Sequence, residues 1–273
     1  FKNPELSISH AVELAKKYKH QENVKITLAP HSVYACSRDT LEKVKQAAEA
    51  GGFRVHIHVS ESEKEIADCR KTHDKSPVEY LDELGLLSDK LMAAHSIWLS
   101  DGDLKIFKDR GVKVAHCPGS NMKLTAGVAP LPKILKAGIT VGLGTDGAAS
   151  NNTLDLFSDM RVCALLHKAI HFDPVVASAR EVVKMVTSDG AKVLGLEKEI
   201  GSLETGKKAD IITINLNKPH LSPIYDPYSH LVYCANGADV ENVMINGKMV
   251  MKNRQVKTLD EEKILKQAGE FKI

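Results

Sequence analysis

Gly51-Gly52-Phe53-Arg54-Val55-His56-Ile57-His58-Val59-Ser60-Glu61 joins a helix stop, a β-rich run and a polar terminus. The glycine pair closes the helical pattern of residues 40–50, because glycine takes the left-handed conformation past a helix end at little cost. Phe53 to Val59 is rich in β-branched and aromatic residues and reads as a strand. In a strand His56 and His58 share one face, and Glu61 follows His58 by a few residues, so the run ends in groups that bind metal and move protons. Ala93-Ala94-His95 and Gly144-Thr145-Asp146-Gly147 end two further apolar runs with one polar residue each.

On both sides of this stretch, strand and helix alternate. Val24 to Ala29, Phe53 to Val59, Leu91 to Ala94, Val112 to His116 and Ile139 to Gly144 are short apolar runs. Helical spacing is found over Leu6 to Tyr18, Thr40 to Ala50, Ser62 to Arg70, Pro77 to Leu84, Asp103 to Lys108 and Leu131 to Ala137. Such alternation predicts parallel βα units, and polar residues gathered at the carboxyl ends of strands are what a (β/α)8 TIM-like barrel shows at its catalytic face. The expected α/β architecture is therefore such a barrel, with its C-terminal five or so strands present. An open doubly wound sheet is the alternative, though no glycine-rich fingerprint follows any strand.

After Asp146 the pattern changes to long helical stretches at Leu154 to Ile170 and Pro174 to Leu194. β-type runs follow at Ile211 to Asn215, His230 to Tyr233, Val240 to Ile245 and, past an Asn246-Gly247 turn, Lys248 to Met251. The expected organisation is a partial barrel over residues 1–200, part of a small β-sandwich over 201–258 and a C-terminal helix over 259–273.

Composition narrows the function classes. The chain has 273 residues, 43% hydrophobic, with 37 lysine plus arginine against 35 aspartate plus glutamate. That near balance, without a basic run, argues against nucleic acid and for a small-molecule partner. The 5 cysteines are scattered and form no CxxC pair, which disfavours disulfides and a thiolate zinc site and favours a reducing cytoplasm. No apolar run reaches the length of a membrane span.

Each candidate residue also has a plain structural reading. His56 and His58 form a chelating pair, or one coordinates while the other hydrogen-bonds nearby; sequence alone leaves both open. Glu61 also suits a helix start, where negative charge is favoured. Asp146, ending an apolar strand, would be costly to bury without a cation. His95 and His116 suit backbone hydrogen bonds equally well. His31 follows Pro30, which stiffens a loop that can reach a substrate. His10, His20, His73, His167, His171, His220 and His230 read as helix or surface-loop residues without a role.

The ordered series Ala29-Pro30-His31-Ser32, His56-Ile57-His58-Val59-Ser60-Glu61, Ala94-His95, His116-Cys117-Pro118-Gly119-Ser120-Asn121-Met122-Lys123-Leu124 and Gly144-Thr145-Asp146-Gly147 resembles the amidohydrolase superfamily. Within it, the chain is most similar to the 5-methylthioadenosine/S-adenosylhomocysteine deaminases, and the resemblance continues through Gly206-Lys207-Lys208-Ala209-Asp210 and Ser229-His230-Leu231-Val232-Tyr233. It implies the metal-dependent-hydrolase barrel and hydrolytic deamination of an adenine nucleoside to the hypoxanthine nucleoside and ammonia. By that resemblance His58 and Asp146 bind one divalent metal, zinc or Fe2+, with His56 supporting. Glu61, His95 and Asp146 are catalytic, and His31 and Glu61 meet the substrate. The loop from Ser120 to Leu124 borders the pocket.

Such barrels begin with a strand carrying an HxH metal pair, which nothing before His31 supplies, so an upstream segment completing the barrel is expected. Other outcomes are a different amidohydrolase acting on guanine or a triazine-type amino or chloro heterocycle, or a non-catalytic fragment. A homo-oligomer is left open.

Overall fold

A computed structural model describes residues 3–271. Serines start many of its helices. Ser37, Ser62, Ser76 and Ser100 each accept a hydrogen bond from the backbone N–H three residues on, opening α2 (Arg38–Gly51), α3 (Glu63–His73), α4 (Pro77–Glu83) and α5 (Asp101–Arg110). The helix before them, α1 (Pro4–Lys17), is capped by Asn3. Gly52 and Gly111, at φ of 67° and 69°, end α2 and α5 in the left-handed conformation.

Between these helices lie β1 (Val55–Val59), β2 (Leu91–His95), β3 (Lys113–His116) and β4 (Val141–Leu143), a parallel sheet in the order β1-β2-β3-β4. Val59 of β1 is level with His95 of β2, so the polar ends of these strands fall side by side. Val55, Ile57 and Val59 are buried in one apolar cluster with Leu41, Leu81 and Phe107 of the surrounding helices. His56 and His58 occupy the opposite, half-buried face. After β3 come α6 (Pro118–Lys123) and α7 (Leu131–Lys136); after β4 come α8 (Ala148–Asn151), α9 (Leu156–His171), α10 (Ala179–Val186) and α11 (Ser188–Leu194).

Several expectations need correction. The run Val24 to Ala29 is not a full strand: it pairs with β1 only at Leu28, opposite Val55. Leu28 N–H donates to Arg54 O at 3.0 Å and Leu28 O accepts from His56 N at 2.9 Å, and the chain then reaches Pro30, which has no N–H with which to continue the ladder. The helix expected over Pro174 to Leu194 is two helices. A capping box of Ser178 and Glu181 starts the first, and Thr187, at φ −123° and ψ −101°, separates them. Ser120 to Lys123 is helical rather than loop.

The antiparallel sheet comprises β5 (Ile211–Ile214), β6 (Val240–Ile245), β7 (Lys248–Lys252) and β8 (Gln255–Val256), in that order. Asn246 and Gly247, with φ of 47° and 75°, make the turn between β6 and β7. It is a single sheet; no second layer of a sandwich is found among the described residues. The run His230 to Tyr233 is not a strand. Asp226 caps the short helix α12 (Pro227–Ser229) with Pro227 in its first turn, and the chain continues into a wide helical turn, His230–Cys234. That turn packs on α9 and α10 and buries Val232 in the barrel-side cluster. The helix α13 (Glu261–Gly269) has no buried residue. No helix among the described residues is long and apolar enough to cross a membrane.

Candidate metal centre and active site

The ends of the parallel strands hold non-glycine residues in the left-handed region: Ser60 at φ 54°, His95 at 67°, Ser96 at 52° and Asp146 at 61°. Such conformations persist where surrounding structure over-determines them, and they gather at functional sites. Glu65, buried in the first turn of α3, supplies part of that structure. Its two carboxylate oxygens accept the backbone N–H groups of Ser60 at 3.1 Å and Glu61 at 2.7 Å. Ser60 O in turn accepts from Ile97 N at 3.0 Å and Trp98 N at 2.9 Å, which ties the end of β1 to the segment after β2.

On this frame His58, His95 and Asp146 each offer one ligand atom, all within 4.8 Å of one another. His58 Nδ1 lies 2.6 Å from His31 O; a carbonyl only accepts, so Nδ1 carries the proton and Nε2 presents its lone pair. His95 Nδ1 lies 2.7 Å from Asn121 Oδ1. The His58 and His95 rings stack with centroids 5.4 Å apart. Asp146 Oδ2 accepts the hydroxyls of Ser120 and Ser150, each at 2.7 Å. Burial works to raise the Asp146 pKa, but the two hydroxyls, the Gly147 amide and His95 outweigh it and hold the carboxyl below its ordinary value. A nitrogen and oxygen donor set of this kind suits zinc or a similar divalent ion. The nearby Cys117 thiol, pushed up to about 12 by burial, stays protonated.

Around the cluster stand the other residues singled out from sequence. Glu61 Oε1 is 3.7 Å from His95 Nε2. The His31 ring centroid is 4.6 Å from that of His58, and partial desolvation followed by the His58 charge lowers the His31 pKa. His56 is outside the cluster, its ring 6.1 Å from that of His58. It lines a cavity of about 860 Å3 together with Met92, Ala115, Gly142 and the β5 residues Ile211 and Ile214. A smaller recess of about 300 Å3 opens beside Glu61, between Tyr34, Trp98 and Leu124.

The sequence reading gave no part to Glu65 or Ser150 and placed Asn121 only in a segment bordering the pocket, yet the hydrogen bonds of all three orient the candidate groups. Their signal is faint: Glu65 looks like an ordinary acid in a helix's first turn, and Asn121 and Ser150 like loop polars. His167, read as a helix or surface residue, is in fact fully buried on α9. Its Nε2 is 3.1 Å from that of His116, and Cys163 joins them in a second group of potential ligands within 4.8 Å. Burial pushes His116 down to about 3 and His167 down to about 4, so the pair is a neutral hydrogen-bonded couple.

An amidohydrolase family model matches residues 2–250. The 5-methylthioadenosine/S-adenosylhomocysteine deaminase of Thermodesulfovibrio yellowstonii is 44% identical over 261 residues, 96% of this chain and 60% of that protein. The 5'-deoxyadenosine deaminase of Methanosarcina mazei is 46% identical over 245 residues, 90% of this chain and 56% of that protein. The crystal structure of an adenosine deaminase from Xanthomonas campestris with bound zinc superposes with a TM-score of 0.93 at 34% identity, covering 96% of this chain and 60% of that one. The chain thus spans about 60% of the length of the first of these relatives.

Proposed function

The chain belongs to the amidohydrolase family, and from that premise we propose that it serves the metal-dependent hydrolytic deamination of an adenine nucleoside, releasing ammonia and the hypoxanthine nucleoside. The observation that carries this reading is the convergence of His58, His95 and Asp146 ligand atoms within 4.8 Å, with the Glu61 carboxylate 3.7 Å from His95. The names of the relatives supply the substrate class: methylthioadenosine, S-adenosylhomocysteine, 5'-deoxyadenosine and adenosine share one adenine ring and differ at the 5' position.

His58 and Asp146 would hold one divalent ion, zinc or Fe2+. The donor set fits: His58 presents Nε2 because Nδ1 is spent on His31 O, and both serine hydroxyls go to Oδ2 of Asp146, which keeps them off Oδ1. When bound, such an ion lowers the pKa of water to about 7 and polarises it for attack. Asp146, held ionised, accepts the proton of the attacking water. Glu61 donates a proton to the ring nitrogen beside C6, which weakens the ring's aromaticity where the new C–O bond forms. Proton delivery to the exocyclic nitrogen then lets the C–N bond break and ammonia leave. His95 orients the attacking oxygen, and His31, at the rim, meets the nucleoside. In this reading the chain up to residue 200 is the catalytic part of the barrel and 201–258 contribute to a small β-sandwich; of the C-terminal helix expected over 259–273, α13 covers Glu261–Gly269 and residues 272–273 lie outside the described residues.

The test is ammonia release from adenosine, methylthioadenosine, S-adenosylhomocysteine and 5'-deoxyadenosine, with guanine and a chlorotriazine as controls. Turnover of at least one adenine nucleoside, dependent on added zinc and lost in Glu61→Gln, is expected. Turnover confined to guanine or the triazine would overturn the substrate class.

A further inference from the structure

We infer that Asn121 is a positioning residue for His95: its side-chain oxygen holds the proton on Nδ1 and leaves the Nε2 lone pair directed at the reacting centre. Both side chains are almost wholly buried, at 2% and 1% exposure, so neither has solvent as an alternative partner. Asn121 Oδ1 lies 2.7 Å from His95 Nδ1, and His95 Nε2 faces the Glu61 carboxylate at 3.7 Å. The amide nitrogen of Asn121 has no partner among the described residues.

The orientation of this amide decides what His95 can do. With Oδ1 towards the ring, Nδ1–H donates to it and the neutral ring is left with its lone pair on Nε2. With the amide reversed, its N–H would donate to Nδ1 and the single ring proton would sit on Nε2, which would then have no lone pair to present. Only the first arrangement lets Nε2 accept a hydrogen bond from water or donate its lone pair to a metal ion. The backbone makes the pairing rigid. His95 sits at φ 67° at the end of β2, and Asn121 is held in α6, where its N–H donates to Cys117 O at 3.0 Å and its carbonyl accepts from Ala126 N at 2.9 Å. The assigned role of the histidine rests on the deaminase reading; the tautomer does not.

The experiment is 15N NMR of the histidine-labelled full chain, metal-free and zinc-loaded, with His95 assigned through His95→Gln. In the wild type, Nδ1 is expected to be protonated and Nε2 pyridine-like in the neutral ring. Asn121→Asp, which can only accept, should keep that tautomer, whereas Asn121→Leu should move the proton to Nε2. In parallel, Asn121→Leu should lower kcat by about 10–100-fold with a smaller effect on KM, the usual consequence of removing a partner that orients a functional histidine. A wild-type His95 protonated on Nε2 alone, an Asp variant that reverses the tautomer, or a Leu variant unchanged in both spectrum and kcat would each overturn the inference. If Asn121→Leu does not fold, the wild-type and Asp spectra still decide. Should no adenine nucleoside be turned over, the spectra stand apart from that failure.

Discussion

Asp146 uses one carboxylate oxygen for the hydroxyls of Ser120 and Ser150, so its second oxygen is committed to neither and the carboxyl stays ionised. Asp146→Asn keeps the shape but loses both charge and proton acceptance; deamination should fall by at least the ~10^2–10^4-fold typical of a lost general acid–base group, measured as ammonia release. A second expectation concerns the buried couple His116 and His167, whose folded pKa values lie at about 3 and about 4 against an ordinary 6.5. Between these limits the unfolded chain binds protons that the folded chain refuses, so stability rises with pH. The contribution is complete above about 6.5 and is lost progressively as pH falls from there through about 4 to about 3. Thermal melts over that window should show a falling Tm, and His167→Gln, which retains a hydrogen-bonding partner for His116, should flatten the slope. An unchanged slope would remove this couple as the cause. At this scale the sequence was legible where one polar residue closes an apolar run, as at His95 and Asp146, while the pair His56 and His58 left open which of the two faces the cluster. It was mute for His167, because helix position alone does not say which face meets the sheet.

Elements are set by local capping chemistry and by how closely backbones approach. β4 carries Gly142, where an added Cβ would stand 3.2 Å from Gly190 Cα and 3.2 Å from a Val193 methyl of α11. The pair of glycines lets helix and strand approach more closely than side chains permit. Gly142→Val should therefore destabilise the fold by about 1–3 kcal/mol, the usual effect of overpacking, read as a lower urea midpoint at unchanged slope. A midpoint within error of the wild type would mean that α11 has room to move. The same local chemistry explains which elements could be read in advance. Ser62 and Ser100 announce α3 and α5 through their spacing from the following acids, and Gly111 announces the end of α5, whereas α3 ends on Asp74 in the left-handed conformation. What failed was apolar patterning without its context. Val24 to Ala29 has strand composition but meets Pro30 at its end. His230 to Tyr233 is apolar, yet lies directly behind the Asp226-Pro227 helix start and packs against α9 and α10.

For the molecule as a whole, the candidate donors come from separate pieces of chain: His58 from β1, His95 from β2 and Asp146 from the turn after β4. They converge only when the parallel sheet is in register, so a divalent ion held there binds the folded chain far better than the unfolded one. Mass action then ties metal to global stability. Free zinc at about 100 times its Kd would add about 2.7 kcal/mol, which raises Tm by several degrees in a domain of this size. The expected result is a zinc-dependent rise in the melting temperature of the wild-type chain, reversed by a chelator. His58→Ala should abolish that rise while leaving the metal-free Tm close to wild type, since His58 lies on the half-buried inner face of β1 and outside the apolar cluster that holds the sheet to its helices. The His116, Cys163 and His167 group provides the internal control. If His58→Ala responds to zinc as the wild type does and His167→Gln does not, the ion belongs to that buried group instead, and the metal centre proposed at the strand ends is wrong.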